Sequence, residues 1–158
     1  VAHVVQQELL QPRTPRDGTR VDGDVDPMRT IERANRRYLE AYARNARIMA
    51  VLEQVATFSP KLLEIRRQVR LDFVERSTRA ITRWQEAGIA DPSLDPRYAA
   101  SALGSMVDRF AYVWFVLGGH FDFETSVQTL TRLWAGALGL QAAADGRGRS
   151  TRAPGAVA

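Results

Sequence analysis

The chain has 158 residues, 45% of them hydrophobic and 25% charged, with a net charge of +4 and no cysteine. That length fits one domain with a buried core, and the absence of cysteine excludes disulfides, thiolate metal sites and cysteine nucleophiles. No apolar run reaches the roughly 20 residues needed to cross a bilayer, because Phe110–Leu117 is bounded by Asp108, Arg109 and Gly118-Gly119.

The first residues, VAHVVQQELL, carry no basic leader and no small-residue cleavage site, so they do not read as a signal peptide. A first residue other than Met suggests a chain that begins mid-protein, and a cytoplasmic location is expected. A helix is predicted over 1–11, followed by a long mobile loop in QPRTPRDGTRVDGDVDP. Asp26-Pro27, Ser59-Pro60 and Asp95-Pro96 each set a capping side chain before a proline at the first helical position. Asp122 opens a further helix without proline, while Gly88 and Gly118-Gly119 mark stops. The predicted helices span 27–57 (broken near Asn45), 60–87, 95–118 and 122–140, and 141–158 reads as a disordered tail. Strand-like alternation and internal repeats are missing, so the fold class is all-α.

The charge is unevenly spread. Residues 28–88 carry 13 Lys/Arg against 7 Asp/Glu, a surplus that could face an anion or nucleic acid. The plainer reading is a solvated, arginine-rich helix face, and no motif for reading RNA or DNA accompanies it.

Apolar surface concentrates near the end of the chain. At 100° per residue, helix 95–118 spreads apolar side chains over an arc of roughly 220°, against the roughly 100° that a surface helix needs. Ser101, Ser105, Asp108 and Arg109 form a narrow polar strip. Helix 122–140 adds Phe123, Val127, Leu130, Leu133, Trp134, Ala137 and Leu138 on one broad face. Two such helices could cover their own domain and still offer a face to a second copy, forming half of a dimeric four-helix bundle. The candidate interface is Leu103, Val107, Trp114, Phe115, Phe123, Val127, Leu130 and Trp134. The competing reading makes both helices the central core of a monomer.

Catalytic constellations are nearly absent. His3 and His120 have no carboxylate or second His at metal-ligand spacing, and neither a phosphate loop nor a nucleophile elbow occurs. No enzyme activity, cofactor or metal is expected. Polar residues nevertheless interrupt apolar stripes: Asn35 and Asn45 in helix 27–57, and Arg66, Arg70 and Ser77 in helix 60–87. An unsatisfied buried polar group costs on the order of 1–3 kcal/mol, so each needs a partner. Either a neighbouring group supplies it or a ligand cavity does. The cavity reading gathers Asn35, Tyr38, Tyr42, Asn45, Met49, Arg70, Phe73, Ser77, Met106 and Phe110, with the aromatic members equally readable as plain core.

The succession RTIERANRRYLEAYARNARIMAVLEQVA, SPKLLEIRRQVRLDFVERSTRAITRWQEAG, LDPRYAASALGSMVDRFAYVWFVLGG and DFETSVQTLTRLWAGALGL resembles the C-terminal regulatory domain of TetR-type transcriptional repressors over residues 27–140. The helix ending in Trp84-Gln-Glu-Ala-Gly88, the Asp95 opening and the stretch Thr129–Trp134 before Leu138 carry the likeness most directly. The resemblance implies a small-molecule effector pocket among the first three long helices and homodimerisation through the last two. It also implies that 1–26 holds the end of a linking helix plus a loop. The family's N-terminal helix-turn-helix is not found here, so operator DNA would be reached only through a domain this chain lacks. Membrane association is not expected. An enzyme on a helical bundle and a protein-interaction scaffold without ligand are the alternatives.

Overall fold

The computed structural model describes residues 26–56 and 58–140. They form five helices: α1 (Pro27–Arg44), α2 (Ala46–Ala56), α3 (Pro60–Glu86), α4 (Pro96–Phe115) and α5 (Phe123–Ala137). Among the described residues there is no strand, as the all-α expectation requires. The predicted helix over 1–11, its loop, His3 and the tail over 141–158 lie outside the described residues.

The caps fall where the side chains dictate. Asp26 accepts from the Met28 amide, Ser59 from Leu62, Asp95 from Arg97 and Tyr98, and Asp122 from Thr125. Each satisfies an N-terminal amide that has no partner within its own helix. The break near Asn45 is present: its backbone N–H turns back to Tyr42 O and its side chain donates to Ala41 O at 2.9 Å. Gly88 (φ 70°) and Gly118 (φ 80°) take the left-handed conformation just past α3 and α4.

The short loop after α3 returns the chain, so α4 runs antiparallel to α3. Gly104 makes the close crossing, because a Cβ there would overlap the Phe73 ring. Gln85 Nε2 ties the loop by donating to the carbonyls of Asp91 and Leu94, both at 2.8 Å. α5 then runs back, and its far end is held by the Asp91 amide donating to Leu138 O at 2.9 Å. α1 packs against both α4 and α5, while α2 packs on α3.

The core lies where α1 meets these helices. Leu39 and Tyr42 of α1, Ile81 of α3, and Val127 and Leu138 of the α5 region are completely enclosed. Fully burying an aliphatic side chain of this size contributes about 1.5–3 kcal/mol. This placement corrects the expected dimer face. Val107, Val127, Leu130 and Trp134 are buried within their own chain, Leu130 being 2% and Trp134 7% exposed. The wide apolar arc of α4 and the broad face of α5 are used largely to receive α1 and α3, which is why a lone subunit covers most of them.

Candidate functional site

Arg66 and Arg70, two of the polar residues that interrupt the apolar stripes, lie along one seam. Tyr38 on α1 donates its hydroxyl to Asp108 Oδ1 on α4 at 2.5 Å. Arg70 on α3 reaches across to α4, donating to Ser101 O at 2.8 Å and to Ser105 Oγ. Ser105 donates in turn to Ser101 O at 2.8 Å, so one carbonyl and one hydroxyl hold the guanidinium. Glu53 on α2 pairs with Arg66 on α3 at 2.5 Å, extending the polar line toward the α2–α3 corner. Tyr42 lies beneath, its ring 5.9 Å from Tyr38 and stacked 6.0 Å from Phe115.

Burial and the neighbouring Asp108 carboxylate raise the Tyr38 phenol well above its ordinary range, with Arg70 opposing them. Tyr42 is raised by the same two causes in the same order. Both are therefore neutral hydroxyls at neutral pH. The seam offers a phenol donor, a carboxylate acceptor and a guanidinium set among apolar side chains. That is equipment for hydrogen-bonding one polar end of a molecule. Among the described residues no group of three or more His, Cys, Asp or Glu side chains is arranged to hold a metal.

The expected pocket residues do not all gather in one place. Tyr38, Tyr42 and Arg70 belong to the seam. Phe73 packs on Gly104, and Met49, Met106 and Phe110 lie partly buried against the core. Ser77 is partly buried on α3. Asn35 is displaced from the set: its amide is satisfied by Thr131 Oγ1 on α5 at 3.3 Å, on the side of α1 that meets the last helix. Asn45 spends a side-chain N–H on the Ala41 carbonyl and shapes the α1–α2 break. Asn35 and Asn45 thus each find a hydrogen-bond partner within the chain.

Asp108, Glu53 and Thr131 do not stand out in the sequence as site residues. Asp108 sat in view on the polar strip Ser101–Ser105–Asp108, spaced at helical intervals, but only the approach of α1 gives it Tyr38. Thr131 looks like any helical threonine until α1 is laid across α5.

Of the expected interface residues, Leu103, Trp114, Phe115 and Phe123 keep some exposed surface. Trp114 stacks 4.3 Å from Phe115, and Phe121 lies 4.8 Å from Phe110, building an aromatic cluster at the α4–α5 corner. Phe121 is 46% and Leu117 64% exposed there, and Leu133 on the outer side of α5 is 50% exposed. Away from the seam, an open depression of about 310 Å³ is lined by Gly88–Asp91 and Gly139.

Comparison with protein-family models gives no match, and comparison with curated proteins gives none either.

Proposed function

We propose that the chain is the regulatory part of a TetR-type transcriptional regulator of the cytoplasm, binding a small, largely apolar effector and pairing with a second copy of itself. The observation that carries this reading is the Tyr38–Asp108 hydrogen bond beside Arg70, a polar seam contributed by three helices, part-buried at Tyr38 and open to solvent at Ser105. Its bonds run between helices. A molecule with one polar end could take over the Tyr38 hydroxyl or the Asp108 carboxylate and so change how α1 sits on α4. It would shift that balance only by its differential affinity for the two placements. Reading an operator, in this proposal, falls to a helix-turn-helix that these residues do not include.

Pairing would use what α4 and α5 leave uncovered: the aromatic corner around Trp114 and Phe121, and Leu133, rather than Leu130 and Trp134. The test has two arms. Thermal melts against a panel of apolar compounds carrying one polar group should show stabilisation by some members, reduced in Asp108→Asn. Light scattering should show a dimer that Leu133→Glu dissociates without loss of helix. No shift across the panel together with a monodisperse monomer would overturn the proposal. A scaffold without ligand is the second reading, favoured by the apolar surface near the α2–α3 corner, where Val51 is 57%, Phe58 87% and Leu63 59% exposed. It expects dimer or partner contacts but no thermal shift.

A further inference from the structure

The apolar side of α1 is spent on the core, and its exposed residues are four arginines, one glutamate and two alanines. Arg29, Arg33, Arg37 and Arg44 are exposed, and at 100° per residue they fall within about 80° of arc. Glu40 is the one acid on that face, and Arg47 is exposed at the start of α2. None of these five arginines is ion-paired with a described carboxylate, whereas Arg36 beside them is held by Glu124 at 2.5 Å and Glu32 at 3.3 Å. A rise of about 1.5 Å per residue spreads Arg29 to Arg44 over roughly 22 Å.

We infer that this stripe is a docking surface for the phosphate backbone of double-stranded nucleic acid, without sequence preference. The inference does not rest on the regulatory reading. Three considerations select the partner. Guanidinium forks match phosphate oxygens bidentately, and arginine is the residue suited to that contact. A stripe of roughly 22 Å exceeds the roughly 12 Å width of a major groove, so its two ends can meet phosphates on both flanking strands. The exposed residues of α1 include no large apolar side chain. A membrane-surface helix needs an apolar face free to enter the headgroups, and a protein interface needs an apolar anchor at its centre. A polymer recognised by charge needs neither.

The experiment measures binding of the full chain to a labelled mixed-sequence DNA duplex by fluorescence anisotropy across a salt series. About four phosphate contacts give an affinity that falls roughly 100-fold between about 50 and about 200 mM salt. The triple variant Arg33→Glu, Arg37→Glu, Arg44→Glu should lower affinity by more than roughly tenfold and flatten the salt dependence. Arg67→Glu, Arg83→Glu, Arg97→Glu, an equal charge change on α3 and α4, should keep most of the affinity. Circular dichroism checks that both variants stay helical. Should the triple variant misfold, Arg33→Gln and Arg37→Gln singly should each lower the salt slope by about one. Equal loss in both triple variants, salt-independent binding, or binding to phosphatidylserine vesicles but not to duplex would each overturn the inference.

Discussion

The Asn35 side-chain amide on α1 donates to Thr131 Oγ1 on α5 at 3.3 Å, and both residues are buried. Thr131 donates its own proton to Val127 O at 2.7 Å, so its hydroxyl serves its helix as donor and the neighbouring helix as acceptor. A few residues away the Arg36–Glu124 ion pair joins the same two helices at the surface. The buried bond fixes how α1 lies on α5, and the exposed pair adds little by comparison.

Thr131→Val should destabilise the protein by about 1–3 kcal/mol, because the Asn35 amide then has no acceptor in an enclosed site. Asn35→Leu combined with Thr131→Val should recover much of that loss, since neither polar group remains. Urea denaturation of the two single variants and the double variant measures the coupling. Strictly additive losses would show that the two side chains do not depend on each other.

Leu130 and Leu133 lie on the same helix with opposite fates, 2% and 50% exposed. Leu130→Ala should cost about 2–5 kcal/mol by leaving a cavity against α1. Leu133→Ala should change subunit stability by no more than about 0.5 kcal/mol. Chemical denaturation at a concentration low enough to keep the chain monomeric separates the two. Equal losses would contradict the burial pattern.

Alkaline pH should unfold the protein earlier than its charge alone suggests. Tyr38 and Tyr42 have phenols raised above the ordinary value of about 10, so their contribution is fully present below that pH. Above it the unfolded chain releases these protons while the folded chain retains them, and stability falls as pH rises. The phenolate absorbance of these two residues should therefore appear together with loss of helix. Tyr38→Phe should flatten the alkaline decline while lowering stability at neutral pH through loss of the Asp108 bond.

Parts of the candidate site were legible beforehand and parts were not. Arg70 stood out because a polar atom within an apolar stripe must find a partner, and Tyr38 and Tyr42 because they belong to such a stripe. Which partner could not be read, since Asp108 lies 70 positions from Tyr38 and Thr131 lies 96 from Asn35. Asn35 and Tyr38 are three residues apart on one helix, yet the first turns to α5 and the second to α4. The arginine surplus was countable, but its alignment on one uncovered face depends on which side of α1 the core takes.

The sequence by itself determined the helices: their caps, the Asn45 break and the glycine stops, because these depend on groups within a turn or two of each other. Tertiary structure alone decided what covers each apolar face. An arc of hydrophobic side chains states how much surface must leave water, but not whether a helix of the same chain or of a second copy will cover it. Here α1, laid across α4 and α5, claims Val127, Leu130 and Trp134, because burial is indifferent to the origin of the covering surface and the nearest amphipathic helix is already tethered to it.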